Sequence, residues 1–96
     1  MLIPQDYDLE ARSHENLVNF LRMELELGST FARSAELEAS MNNWEHSARV
    51  RRYAETAIET IHKFDHRIKD PQTLQEIRLR TEELQAQISD LPTEPE

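Results

Sequence analysis

The chain has 96 residues, a formal net charge of −8 at pH 7 and no cysteine. This length allows one domain at most, and the lack of cysteine excludes both a disulfide framework and a thiolate zinc site. A single glycine argues against a β protein, whose turns need glycine. No apolar run is long enough for a signal peptide or a membrane span. We therefore expect a soluble, cytoplasmic protein that does not contact a membrane.

The first predicted helix covers about residues 9–41 and carries a broad apolar face. Apolar residues recur every three or four positions, the spacing of one helix face, and this assigns Phe20 to the core. Gly28 lies inside the run, where glycine costs about 1 kcal/mol relative to alanine. The helix therefore either continues through Gly28 or breaks there. The small residues of this face would let a neighbouring helix approach closely: Gly28, Ala32, Ala35 and Ala39.

The second predicted helix covers about residues 44–69. Asn43 is its expected N-cap, with the side-chain oxygen accepting from a first-turn amide. The helix should end by Lys69, because the residue before Pro71 is pushed out of the α region. Trp44 is interpreted either as a staple that closes a hairpin or as an exposed anchor for a partner. Two apolar stripes predict two neighbours: Val50, Tyr53, Ala57, Ile61, Phe64 and Ile68, and beside them Ala54 and Ile58.

The third predicted helix covers about residues 71–90, with Asp70 as N-cap and Pro71 at the first helical position. Residues 92–96 are predicted to form a disordered acidic tail. Because the turns are short, consecutive helices should run antiparallel. The predicted fold is all-α, a single domain over residues 1–91 made of a long antiparallel helical hairpin plus a third helix. The third helix repeats apolar residues with heptad spacing, and Leu79 lies off this seam: Leu74, Ile77, Thr81, Leu84, Ile88 and Leu91.

Charge is unevenly distributed along the chain. Residues 1–43 carry a net charge of −5, residues 44–70 of +1, and residues 71–96 of −4. One interpretation is charge complementarity between the helices of the chain. The other is that Arg49, Arg51 and Arg52 dock an acidic partner. Nucleic acid is disfavoured as a partner, because the acidic segments would repel phosphate.

Catalytic signatures are lacking in the sequence. It has no nucleophile motif and no glycine-rich phosphate loop, so we expect a protein that is not an enzyme and needs no cofactor. Glu59-x-x-His62 has the spacing of the ligands in carboxylate-bridged metal bundles, and His66 follows one turn later. A metal-binding helical bundle using Glu59, His62 and His66 is therefore the alternative hypothesis, beside the simpler interpretation of a solvated polar face.

Residues 27–61 resemble a degenerate tetratricopeptide-type helical hairpin. The resemblance rests on a Leu-Gly-x-x-Phe stretch, an Asn-Trp-Glu turn and small and aromatic residues after it: Leu27, Gly28, Phe31, Asn43, Trp44, Glu45, Ala48, Tyr53 and Ala57. The distance from Phe31 to Trp44 is about two helical turns longer than in that family. The resemblance implies a protein-interaction module and transfers no catalytic residue.

The apolar surface predicted for the second and third helices exceeds what one contact within the chain uses. Exposed apolar patches of this kind mark interfaces, and a twofold dimer is the commonest closed assembly. The sequence therefore predicts protein–protein interaction or self-association, with a homodimer as the expected form. The predicted dimer patch consists of Leu74, Ile77, Leu84 and Ile88 on the third helix, with Ala54 and Ile58 on the second.

Overall fold

Three α-helices and one short 3-10 turn make up the part of the chain that the structure describes. The computed structural model describes the backbone of residues 5–96 and the side chains of residues 12–96. Helix α1 covers Gln5–Ser40, α2 covers Trp44–Phe64, the 3-10 turn covers Asp65–Arg67, and α3 covers Pro71–Ser89. No strand occurs within residues 5–96. The predicted all-α hairpin with a third helix is confirmed.

Helix α1 passes through Gly28 without a break. Gly28 is buried. A Cβ atom placed on it would lie 3.2 Å from Cβ of Ala57 on α2 and 2.7 Å from Cδ2 of Leu84 on α3. The three helices therefore meet at Gly28, and the missing side chain lets them approach. Close packing here offsets the poor helix propensity of glycine.

The turn between α1 and α2 is built by two asparagines. Asn42 has a φ of 61°, the left-handed conformation that asparagine tolerates better than most residues. Its N–H donates to the carbonyl of Ala39 (3.0 Å), and the N–H of Asn43 donates to the carbonyl of Glu38 (2.8 Å). This pair of hydrogen bonds is a Schellman motif. The prediction that the Asn43 side chain caps α2 was wrong. Its Nδ2 instead donates to Glu38 Oε2 at 2.7 Å, and this hydrogen bond holds the turn against α1.

Helix α2 ends at Phe64, earlier than the predicted end at about Lys69. The chain continues in the 3-10 turn, and Ile68 is extended. Tertiary contacts stabilise the path of the chain after α2. Asp65 is buried, and its Oδ2 lies 3.5 Å from Nε of Arg78 on α3. The N–H of Lys69 donates to Nε2 of His14 on α1, at 2.9 Å. These contacts redirect the chain before the constraint of Pro71 is reached.

Asp70 caps α3 as predicted. Its Oδ2 accepts from the backbone N–H (3.2 Å) and the hydroxyl (2.6 Å) of Thr73, and Pro71 follows at the first helical position. The hydroxyl of Thr73, then its N–H, lowers the pKa of the Asp70 carboxyl below its ordinary value, because both groups donate to the charged form.

We expect Asp70→Ala to lower the midpoint of thermal unfolding at neutral pH. The pKa of Asp70 is lower in the folded chain, so its carboxylate contributes stability above the unfolded pKa, about 4. This contribution is lost as the pH falls through the folded pKa. The difference between wild type and variant should therefore shrink below about pH 4. Asp90→Ala, which changes an exposed acid at the other end of α3, should not lower the midpoint. A pH-independent difference at Asp70 would contradict this account.

The core lies where the three helices meet. Helix α1 contributes a buried seam at alternating spacings of three and four, from Val18 to Ala39. Between α1 and α2, the hydroxyl of buried Ser47 donates to the carbonyl of Ala35 at 2.7 Å. The heptad seam of α3 packs into the same cluster. The buried apolar members of this cluster are Val18, Leu21, Leu25, Ala32, Ala35, Val50, Ala54, Ile58, Ile61, Ile68, Ile77, Leu84, Ile88 and Leu91.

The dimer patch predicted from the sequence belongs to this core. Ile77, Leu84 and Ile88 are at most 4% exposed, Ala54 is fully buried and Ile58 is 6% exposed, while Leu74 is half-buried. Packing of α3 against α1 and α2 therefore buries the second stripe of α2 and the α3 seam apart from half-buried Leu74. The prediction of this patch as an interface was wrong, because contacts within the chain bury the apolar surface that was expected to remain exposed.

Candidate interaction surface

A stripe of apolar side chains is exposed along one side of the α1–α2 hairpin. Phe20 is 40% exposed, Met23 68%, Leu27 48% and Tyr53 48%, and Phe31 is half-buried between them. We call these five residues the outer stripe. The prediction of Phe20 as a core residue was wrong. Single exposed apolar side chains are ordinary, whereas a contiguous group of them is a candidate binding surface.

The outer stripe lies on the side of the hairpin that α3 does not cover. At 3.6 residues per turn, Phe20, Leu27 and Phe31 fall within about 40° of one another and about 100° from the buried seam of α1. The opposite edge of α1 contacts α3, since Arg22 pairs with Glu76 of α3 at 3.1 Å. Helix α3 therefore closes one face of the hairpin and leaves the other open.

Two aromatic pairs join α1 to α2 along this open face. The rings of Phe31 and Tyr53 lie 5.3 Å apart, and the rings of Phe20 and Phe64 meet edge to face at 6.2 Å. Two shallow grooves of about 290 and 370 Å³ adjoin at Leu27. The first is bounded by Leu27, Phe31, Tyr53 and Ala57, so its floor is formed by both helices. The surface is therefore continuous and slightly concave, as a groove for a helix would be.

The charges beside the outer stripe differ between the two helices. Glu24 of α1 is half-buried and borders both grooves, whereas Glu26 points about 160° away on the helix, is exposed and borders only the second groove. On α2, Lys63 lies over the Phe64 ring (5.7 Å), and Arg52 is exposed. None of the ion pairs among the described side chains involves these four residues.

The three arginines predicted to dock an acidic partner do not form one patch. Arg49 is exposed and lies 3.9 Å from Glu45 on its own helix. Arg51 points toward α3 and lines a groove with Ile88. Arg52 is exposed, and none of the ion pairs among the described side chains involves it. Consecutive helical positions point about 100° apart, so neighbours in sequence are separated in space.

Trp44 is half-buried at the first residue of α2, so it is neither fully packed nor fully exposed. It lies at the turn end of the hairpin, and the exposed residues Leu37 and Met41 (58% each) belong to the same end. The outer stripe is centred elsewhere, about halfway along the hairpin. Trp44 is therefore not part of the candidate surface.

The predicted metal ligands are not brought together. Glu59 and His62 are exposed on α2, and α2 ends at Phe64, so His66 lies in the 3-10 turn and leaves the helical face. Within the residues whose side chains are described, no group of three His, Cys, Asp or Glu residues lies close enough to hold a metal ion. The spacing argument fails because it assumed a helix that continues through His66.

None of the five outer-stripe residues was predicted as a site residue from the sequence. The signal was present as an apolar face of α1 that is too wide for one seam. Phe20 and Leu21 are adjacent in sequence, so they point about 100° apart and cannot both face the same neighbour.

Among residues 5–96, none of the helices combines the length and the apolar character that a membrane crossing requires. No protein-family model, curated protein or solved structure matches this chain.

Proposed function

We propose that the protein is a non-enzymatic interaction module, and that it binds a protein partner, or itself, through the outer stripe. The observation that carries this proposal is the exposed, continuous apolar surface formed by Phe20, Met23, Leu27, Phe31 and Tyr53. Leaving such a surface in water costs about 25 cal/mol per Å² relative to covering it. A helical partner suits the shape of the groove between α1 and α2.

Leu79 offers a matched control for this surface. It is 51% exposed, against 48% for Leu27, and it is also a helical leucine, but it lies on α3. A probe or a charge placed at position 79 therefore has the same solvent exposure and the same helical setting as one at position 27, but it leaves the outer stripe unchanged.

We expect a photo-reactive benzoylphenylalanine at position 27 to give a covalent protein adduct in the native cell. The same probe at position 79 should give no such adduct, because α3 presents no continuous apolar surface there. Adducts are separated by mass, and the attached peptide is identified by mass spectrometry. A chain that stays uncoupled at position 27, or couples equally at both positions, would show that the outer stripe is not a binding surface.

A further inference from the structure

We infer that the outer stripe binds an amphipathic helix of a different protein, and that this helix brings a lysine or arginine into the groove to pair with Glu24. The inference rests on the proposed function and specifies the chemistry of the partner. Glu24 is the charged side chain that the two grooves share, so its carboxylate decides which helices the stripe accepts.

Glu24 lies within the outer stripe and not at its margin. It follows Phe20 by four positions and precedes Leu27 by three and Phe31 by seven, spacings that return to the same face of a helix. Its side chain is half-buried. It lines the first groove with Leu27 and Phe31, and the second with Phe20 and Leu27. A helix that covers these apolar side chains therefore covers the carboxylate as well.

The part of the chain that the structure describes supplies no counter-charge to Glu24. Among the described side chains, no hydrogen bond and no ion pair involves its carboxylate. Within the same residues, neither groove is lined by a lysine, arginine or histidine. Lys63 of α2 lies over the Phe64 ring, at 5.7 Å. Of the described chain, nothing but solvent therefore balances this charge.

The threonine hydroxyls of the two grooves are already engaged. Thr56, which lines the first groove, donates to a carbonyl of α2 at 2.9 Å. Thr30, which lines the second, donates to a carbonyl of α1 at 3.0 Å. The ring of Tyr53 pairs with Phe31, about 10 Å along α1 from Glu24. A partner that removes water from Glu24 must therefore bring the donor itself.

Charge decides between classes of partner helix. Removing an ionised carboxylate from water without a counter-charge is strongly unfavourable, whereas a lysine or arginine that meets it forms charge-assisted hydrogen bonds. A helix that is wholly apolar, or that places an acid at this point, is therefore disfavoured. A second copy of this chain is disfavoured as well, because the charged residues that line its grooves are both acids and each copy carries a formal net charge of −8.

The position of Glu24 also fixes where the base lies in the partner helix. Phe20 lies about 6 Å and Leu27 about 4.5 Å from Glu24 along α1, in opposite directions. A partner helix that runs along the groove contacts both with apolar residues three or four positions before and after its base. From Phe20 to Phe31 the stripe is about 16 Å long, so about three turns of the partner helix cover it.

Charge reversal at Glu24 tests the pairing in the crosslinking experiment with benzoylphenylalanine at position 27. Glu24→Lys should lower the yield of the adduct at least tenfold, because the base of the partner then faces a lysine. Glu82→Lys makes the same change in net charge at an exposed position of α3 and should leave the yield within about threefold. Both variants should keep the wild-type circular dichroism. A folded Glu24→Lys chain with the wild-type yield would overturn the inference.

The attached segment gives the decisive measurement. Its sequence, read by mass spectrometry, should belong to another protein and carry a lysine or arginine between apolar residues three or four positions away. As a synthetic peptide it should bind the whole wild-type chain, measured by fluorescence anisotropy, at least tenfold more tightly than a peptide with that base changed to glutamate. This comparison needs no variant of the chain. The glutamate peptide should in turn bind Glu24→Lys more tightly than wild type.

The outcomes separate the inference from the proposed function. A segment without such a base, a segment from a second copy of this chain, or a glutamate peptide that binds the wild type equally well would overturn the inference and leave the proposed function standing. Position 27 coupling to nothing would overturn both.

Discussion

We expect Leu84→Glu to unfold the chain and not to separate two folded copies. Leu84 is 4% exposed and packs against the site of Gly28 on α1 and near Ala57 on α2. Removing a buried leucine side chain costs about 2–5 kcal/mol, and a buried carboxylate without a cation adds several kcal/mol more. Domains are typically stable by only about 5–15 kcal/mol. The variant should therefore lose its cooperative thermal transition in far-ultraviolet circular dichroism.

Leu79→Glu is the control for that experiment, since it adds the same charge to α3 at a position that is 51% exposed. It should retain the wild-type transition within about 0.5 kcal/mol. A Leu84→Glu chain that stays helical, melts cooperatively and is half the wild-type mass would show that the α3 seam is an interface between chains. That result would contradict the packing of α3 described above.

The three helices follow from local rules, and the sequence predicts them for that reason. Apolar spacing of three and four defines each helix, the Asn42-Asn43 pair defines the first turn, and Asp70-Pro71 defines the start of α3. Each signal acts within a few residues of the chain.

The end of α2 and the position of the exposed surface depend on contacts between distant residues. Asp65 meets Arg78, and Lys69 meets His14, and neither pairing has a signature in the local sequence. The same limit explains the misplaced interface. Apolar periodicity shows that α3 has a face to bury. It does not show whether α1 and α2 or another chain buries that face, and this choice decides which surface of the chain stays exposed.

Gly28 is the position where a larger side chain should most directly push the helices apart. We expect Gly28→Leu to lower the free energy of unfolding by about 3 kcal/mol or more. Even a Cβ would lie 3.2 Å from Cβ of Ala57, an atom fixed to the backbone of α2. Overpacking a close-packed core by added methylenes costs about 1–3 kcal/mol, occasionally more. Arg33→Leu places the same side chain at an exposed position of α1 and should change stability by less than about 0.5 kcal/mol.

Gly28→Ala sets two effects of similar size against each other. Alanine improves helix propensity by about 1 kcal/mol, but its Cβ would lie 2.7 Å from Cδ2 of Leu84. We expect these effects to cancel to within about 1 kcal/mol. In a Leu84→Ala background the clash with Leu84 is gone and the new methyl partly fills the space left, so the same substitution should become stabilising. Chemical denaturation of the four chains measures this coupling. Equal effects of Gly28→Ala in both backgrounds would mean that Leu84 does not pack on Gly28.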